Sequence, residues 1–504
     1  MNEYILTIDE GTTSARAIIF DHSGEIVSVA QQEFTQYYPK PGWLEQDPIE
    51  IWTTTMEVIG KCMIQSGLTP EQIKAIGITN QRETVVVWDK NTGTPVYNDI
   101  VWGDRRTAPY CDELKAQGYE PMVKEKTGLI IDSYFSGTKI KWILDNVKGA
   151  REAAEKGDLI FSNIDGWILW NLTKGEAHMT DYSNASRTLL FNIHTLDWDD
   201  ELLELLTIPK SMCPEVRPSS GHFAYTKVHN LFEGKAIPIE GIIGDQMSAT
   251  FGQCCFQKGQ CKITWGTAGT MTMNTGDEAI ESKNGMLTTI GWGLNGKVQY
   301  LLEGTVYNAG SSVQWLRDEM KFIESSGDSE FFAAKSTLPL GTCYVVPAFS
   351  GLGAPWWDSY ARGTIFGLSR GAAKNDVIRA TLDSIGYQTR DILESISQDM
   401  GEKIELLRVD GGACNNNIIT QFTSDILGIN VERPSNVETT AAGAAYLAGL
   451  SVGYWKDEQD ILNNRKVDKV FHPEMDTAQR ERLYAGWKNC VKALMVWSEG
   501  EKAL

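Results

Sequence analysis

The sequence predicts an α/β fold of two like domains facing each other across a central cleft. The stretch "LTIDEGTTSARAIIFD", residues 6–21, reads as two apolar strands joined by a Gly-Thr-Thr-Ser turn, and "EIVSVAQQEF" adds a third strand before a helix. Roughly 250 residues later the same order returns. "CKITWGTAGTMTMNTGDEAI" is strand, Gly-Thr turn and strand, and "KVQYLLEG" leads into the helix "AGSSVQWLRDEM". A length of 504 residues is enough for two or three domains with filled cores. One polar turn is ordinary local chemistry, but two in equivalent places of a duplicated unit suggest hairpins that reach one ligand from opposite sides.

The elements follow in order. In "DPIEIWTTTMEVIGKCMIQSG", Asp47 is suited to the N-cap, Pro48 to the first helical position and Glu50 to a capping-box-like pattern. Ile49, Trp52, Met56, Ile59 and Met63 recur at helical spacing and predict the buried face. "LTPEQIKAIGIT" places Thr69 and Pro70 before a strand over 76–79. The second half adds a long helix, "NDVIRATLDSIGYQTRDILESISQDMG". Next, "IELLRVDGGACNNNIITQFTSDILG" is a strand ending in Asp-Gly-Gly ahead of a helix start, where free N–H groups and close backbone approach favour an anion. "TTAAGAAYLAGLSVGYW" reads as a helix whose small residues permit tight packing.

Composition limits the partners. Hydrophobic residues at 42% and charged residues at 22% are those of a soluble globular chain. Lys and Arg number 46 against 66 Asp and Glu, a net charge of -20, which disfavours nucleic acid and anionic membrane as partners. The nine cysteines form no CxxC pair and are odd in number, so reduced thiols in the cytoplasm are expected. The N-terminus enters a strand at once, which leaves no room for a signal peptide, and no apolar run nears the roughly 18 residues of a membrane span.

Certain residue types point to chemistry. In the first hairpin Gly11 lets backbone approach a ligand, and Thr12, Thr13 and Ser14 bring hydroxyls beside backbone N–H groups. Such a turn suits phosphate oxygens, with Asp9 placed for a metal ion and Arg16 for charge. Asp245 in "IIGDQMS" closes an apolar run, as either a strand-end carboxylate acting as general base or a turn-forming Asp. In "QRE", Arg82 and Glu83 form a donor–acceptor pair for adjacent hydroxyls, or a solvated ion pair.

With these pieces in order, the chain resembles the FGGY carbohydrate kinases of the actin-like ATPase superfamily over nearly its whole length. The most specific stretches are "YPKPGWLEQDPIEIW", "GITNQRETVVVWD", "YFSGTKIKWILD", "SNASRTLLFNIHTLDWDD" and "GLGAPWWDSYARGTIFGLSRG". The resemblance implies two ribonuclease-H-like domains, 1–253 binding a polyol and 254–504 binding nucleotide. It implies an ATP- and Mg²⁺-dependent polyol kinase acting as a homo-oligomer, dimer or tetramer. Asp9, Thr12, Thr13, Ser14 and Arg16 match the family's first phosphate and metal loop, and Gly266 and Thr267 the second. Gly310, Gln314, Gly412 and Asn416 match positions around the nucleotide. Arg82, Glu83, Tyr134, Asp245 and Gln246 match the polyol grip, with Trp102 as an apolar wall and Asp245 as the base.

Glycerol is the acceptor this resemblance implies first. A four- or five-carbon polyol or related sugar is the alternative, and a non-catalytic nucleotide-responsive binding protein is the reading from another class. Four places depart from the usual family pattern: Glu10 stands for Gln, Gly103-Asp104 for Gln-Cys, Gly166 for Thr, and Thr270 for Phe. Gly103, Asp104 and Thr270 are expected around the polyol, where Gly103 would add volume and Asp104 and Thr270 polar groups for a further hydroxyl.

Overall fold

In a computed structural model, which describes residues 2–502, two mixed sheets repeat one plan. The first has six strands in the order Ser220–Tyr225, Pro238–Gly244, Ile73–Asn80, Tyr4–Glu10, Ser14–Phe20 and Ile26–Glu33. Tyr4–Glu10 runs antiparallel to Ser14–Phe20, with Asp9 opposite Arg16, and parallel to Ile73–Asn80. In the second sheet Cys261–Trp265 likewise runs antiparallel to Gly269–Gly276 and parallel to Leu406–Asp410. Lys297–Val306 pairs with Gly269–Gly276 as Ile26–Glu33 pairs with Ser14–Phe20. The duplicated strand order read from the sequence is therefore present. A strand that the sequence reading omitted, Leu287–Leu294, lies beyond Lys297–Val306.

Alternation along the first strands sorts side chains onto two faces. Leu6, Ile8, Ala17 and Ile19 pack beneath the helix Pro48–Ser66. That helix starts as expected: the Asp47 carboxylate accepts from the Ile49 N–H at 2.8 Å and Pro48 takes the first position. Two details differ. Glu50 accepts from Thr35 N (3.0 Å) and Oγ1 (2.9 Å), tying the helix to the incoming chain instead of capping it. Of the expected face, Ile59 and Met63 are buried and Trp52 and Met56 pack against the core, while Ile49 is 48% exposed; Ile51, Thr55, Val58 and Cys62 complete the buried stripe. "LTPEQ" gives a single 3₁₀ turn, Pro70–Gln72, and the strand is longer than expected, Ile73–Asn80.

The opposite face, with Ile5, Ile18, Ala75 and Ile243, is covered from far along the chain. Its roof is the small-residue helix Thr439–Ser451, packed beside the helix Asp245–Gly252. A Cβ on Gly443 would lie 1.9 Å from the Ser248 carbonyl oxygen, so the two backbones touch only because this residue is glycine. A separate smaller sheet, including Val85–Asp89 and Leu159–Asn163, has its own core, against which Tyr134 packs, and Trp102 follows its strand Asp99–Ile100. No helix of the described residues is long and apolar enough to cross a membrane.

Candidate functional site

The hairpin turn of the first sheet is built as a cradle. Gly11 N–H donates to Ser14 O at 3.0 Å, closing the turn. The Thr12 carbonyl is fixed by Gln46 Nε2 at 2.6 Å and Gln36 Nε2 at 3.1 Å, and its hydroxyl accepts from Trp102 Nε1 at 3.0 Å. Thr13 is exposed, and Ser14 Oγ accepts from Gln31 at 2.9 Å. Buried Asp9 pairs with Arg16, whose other nitrogen donates to Glu438 at 2.6 Å. Burial raises the Asp9 carboxyl above the usual range; Arg16 opposes this, and the charges of Glu438 and Asp245 add to it.

Asp245 opens the helix Asp245–Gly252 directly after the strand Pro238–Gly244, which places a carboxylate at a strand end. Its Oδ1 accepts from Arg82 Nε at 2.9 Å and from Gln246 N at 2.7 Å. Arg82 is buried and also closes on Glu303, at 2.7 Å through Nη1. Glu83 is buried, with a φ of 61°, and accepts from Arg187 Nε at 2.5 Å. The "QRE" pair is therefore buried and not the solvated loop ion pair that was the other reading. Tyr134 and Trp102 meet edge to face, centroids 5.8 Å apart. Gln246 Oε1 accepts from the buried Lys262 at 2.7 Å.

The second hairpin borders a cavity of about 440 Å³. Gly266, Thr267, Gly310, Gln314, Gly412 and Asn416 all line it, so every residue matched to the nucleotide in the second half sits on one space. Its two walls are tied together: Gly310 N donates to Gly266 O at 2.9 Å and Ser311 N to Thr267 O at 3.1 Å. Asn416 has a second duty, since its Oδ1 caps the next helix by accepting from Ile418 N and Ile419 N.

Family models for the N-terminal and C-terminal domains of the FGGY carbohydrate kinases match residues 4–252 and 261–452. The chain belongs to the FGGY family of carbohydrate kinases. Among relatives, a glycerol kinase of Thermoanaerobacter sp. (strain X514) is 59% identical over 499 residues, covering 99% of this chain and 100% of that one. A glycerol kinase of Petrotoga mobilis is also 59% identical, with the same coverage. Among solved structures, Plasmodium falciparum glycerol kinase with ADP aligns at a TM-score of 0.91 and 37% identity, covering 98% of each chain. A ligand-bound xylulose kinase from Lactobacillus acidophilus, 23% identical with a TM-score of 0.87 over 98% of each chain, shares the fold.

In this FGGY kinase the departures from the family pattern have separate causes. Asp104 does not face a polyol. It is buried, accepts from Leu44 N at 2.6 Å, and forks onto Arg106, whose guanidinium lies 3.8 Å from the Trp43 ring centroid. This corrects the expectation of a polar group for a further hydroxyl. At Gly103 a Cβ would meet only Leu44, at 3.8 Å. Gly166 is a packing glycine, since a Cβ there would lie 2.1 Å from Ser162 Oγ. Thr270 is buried and pairs with Thr305 at 3.2 Å, on the same sheet face as Lys262, Thr272 and Glu303. Glu10 accepts from Thr55 at 2.7 Å through one oxygen, while the other is buried without a partner; burial pushes its carboxyl up to about 8.

Sequence reasoning passed over three charged residues of this FGGY kinase. Arg187 and Glu303 are fully buried and bonded to each other at 2.9 Å. Lys139 is fully buried and donates to the carbonyls of Tyr134 (2.5 Å) and Glu83 (3.3 Å). The available signal was a lone charge inside an apolar run, as in "QYLLEGTV".

Proposed function

We propose that this FGGY kinase transfers the γ-phosphoryl group of ATP to a primary hydroxyl of glycerol, giving sn-glycerol 3-phosphate and ADP. The observation that carries the reading is the Asp245 carboxylate. Both its donors, Arg82 Nε and Gln246 N, fall on Oδ1. Oδ2 is left to accept the hydroxyl proton, and the carboxylate is half-buried at the cleft. Arg82 and Gln246 supply donors to the polyol and Glu83 an acceptor, while Trp102 and Tyr134 offer ring surface to its C–H groups. The names and identities of the full-length relatives support glycerol as the polyol.

In the reaction the hydroxyl oxygen forms a bond to the γ-phosphorus as the bond to the β–γ bridging oxygen breaks. The hydroxyl proton goes to Asp245 and ADP leaves with the bridging oxygen. Gly266 and Thr267, from one side, and Thr12, Thr13 and Ser14, from the other, present N–H and hydroxyl donors to the phosphates. Gly310, Gln314, Gly412 and Asn416 bound the space for the nucleoside part, within a volume typical of a ligand cavity. Mg²⁺ would be held at Asp9: a buried carboxylate beside the first hairpin suits an ion held mainly by substrate phosphates and water. When bound, Mg²⁺ supplies neutralisation of phosphate charge. Arg16 holds Asp9 in place from its other side.

Residues 1–253 form the polyol-binding domain in this reading and 254–504 the nucleotide-binding one. The protein works in the cytoplasm, in keeping with nine free and mostly buried cysteines, as a dimer or tetramer. An ADP-release assay over glycerol, erythritol, threitol and xylitol, with the phosphorylated product identified, tests the proposal. Glycerol should give the highest kcat/KM; ADP release that no polyol stimulates would overturn it. Thr270, smaller than the ring usual at its place, supports a second reading in which a four- or five-carbon polyol leads that panel.

A further inference from the structure

Five side chains form one chain of alternating charge below the cleft. Asp245 meets Arg82 at 2.9 Å, Arg82 meets Glu303 at 2.7 Å, Glu303 meets Arg187 at 2.9 Å, and Arg187 meets Glu83 at 2.5 Å. Four of the five come from the N-terminal half. Glu303 alone comes from the other half, on the strand Lys297–Val306 of the second sheet. It is the middle member, fully buried, and it touches both guanidiniums.

We propose that Glu303 is a positioning residue for the acceptor site: from the nucleotide-binding half it orients, through Arg82 and Arg187, the two carboxylates that grip the polyol. The inference rests on the polyol-kinase reading above.

The geometry gives the reason. A guanidinium is a planar fork, so its orientation is set once two of its edges are engaged. Arg82 spends Nη1 and Nη2 on Glu303, at 2.7 and 3.4 Å, and this aims Nε at Asp245. Arg187 spends Nη2 on Glu303 and so aims Nε at Glu83. The Arg187 guanidinium also lies 5.5 Å from the ring centroid of Tyr134, the residue matched to the polyol beside them. Without Glu303 two buried guanidiniums would face each other with one fewer anion between them, and both forks would be free to turn. Burial pushes the Glu303 carboxyl up, but Arg187 and Arg82 outweigh it and hold it down at about 2, so it stays ionised. Since Glu303 belongs to the second sheet, the polyol grip is complete only when the two halves are seated on each other. A plain stabilising ion cluster would not need to end on Asp245 and Glu83.

The test uses Glu303→Gln, which keeps shape and loses charge, and Glu303→Asp, which keeps charge and loses reach. Steady-state constants for glycerol and for ATP are measured together with thermal midpoints. The expected result for Glu303→Gln is a rise of at least tenfold in KM for glycerol, a fall of at least tenfold in kcat, and a KM for ATP within twofold of the wild type. Glu303→Asp should recover part of both losses. If Glu303→Gln does not fold, Glu303→Asp and Arg187→Lys are read by the same split. A folded variant with a lowered midpoint but glycerol KM and kcat within twofold of wild type would overturn the proposal, because that is the signature of a structural cluster. The wild type is run on the polyol panel alongside. If it prefers another polyol the function reading changes, and the KM split is read with that polyol instead.

Discussion

Arg82 and Asp245 meet through a single pair of atoms, Nε and Oδ1, 2.9 Å apart, so the ion pair holds the carboxylate without using up its second oxygen. Asp245→Asn keeps the shape and the contact at Oδ1 but cannot accept a proton at the other position. Turnover should fall by about two to four orders of magnitude, the usual range for a general base, with ATP affinity within twofold. Measuring kcat beside nucleotide binding by calorimetry checks it; near wild-type turnover would remove the assignment.

Asp104 sits at the centre of a buried cluster with Arg106 and Glu45, both its oxygens engaged by Arg106 and Leu44 N. Asp104→Ala leaves Arg106 paired with Glu45 alone and the Leu44 N–H without its acceptor, and should cost about 1–3 kcal/mol of stability, the usual loss when buried polar groups lose a partner. The ratio of kcat/KM between glycerol and erythritol should not move. Chemical denaturation and the two-substrate ratio together separate this from a role in the pocket.

Thr270→Phe restores a ring where the side chain now offers only a methyl and a hydroxyl. The added apolar surface is worth about 1–3 kcal/mol if it covers C–H groups of the acceptor. The preference for glycerol over xylitol should therefore rise by roughly 10- to 100-fold, since 1.4 kcal/mol is tenfold. An unchanged ratio would mean that Thr270 does not border the acceptor.

Two glycines on the nucleotide cavity should respond differently. A Cβ on Gly310 would lie 2.5 Å from the Gly266 carbonyl oxygen, whereas nothing stands within 4 Å of one on Gly412. Gly310→Ala must push the two loops apart and should lower both the thermal midpoint and ATP affinity. Gly412→Ala should leave the midpoint unchanged and affect only KM for ATP. Differential scanning fluorimetry with and without ADP distinguishes them.

Lys139 gives a pH dependence with a definite sign. Burial brings its ammonium down from 10.5 to about 7, against the pull of Glu83, Asp104 and Asp132. Between those values the unfolded chain holds a proton that the native protein has lost, so stability rises with pH across that window. The penalty for the buried charge is fully present below pH 7. Lys139→Met has no such proton, so the wild-type midpoint should gain on the variant's between pH 6 and pH 9, at up to about 1.4 kcal/mol per unit of pKa difference. A constant gap would contradict the lowered pKa.

Much of the fold was legible because strands and turns write themselves locally. The two Gly-Thr hairpins and the Asp47-Pro48 helix start depend on neighbours only a few residues away. The buried face of the helix Pro48–Ser66 was legible only in part. Of the apolar residues at 49, 52, 56, 59 and 63, Ile59 and Met63 are buried and Trp52 and Met56 pack at the core's edge, but docking on the sheet turned Ile49 outward and drew in Ile51, Thr55, Val58 and Cys62. Leu287–Leu294 is buried along its whole length, so it lacks the alternation that marks a half-exposed strand. In the site, the residue types suited to ligands stood out. Arg187 and Glu303 did not, because each is explained only by a partner distant in sequence, and pairing across two domains has no local signature.

The roof helix Thr439–Ser451 also has a consequence for how the protein is made. When residue 252 leaves the ribosome, the first sheet is whole, yet the face bearing Ile5, Ala75 and Ile243 has only Met247 and Phe251 of the short helix Asp245–Gly252 over it. About 200 more residues must be synthesised first, which at about 5–20 residues per second is some 10–40 seconds. Through that interval the nascent chain presents an apolar plane without its main roof. A holding chaperone would find its substrate there, and a message cut short before codon 451 would yield a product that aggregates instead of a usable half.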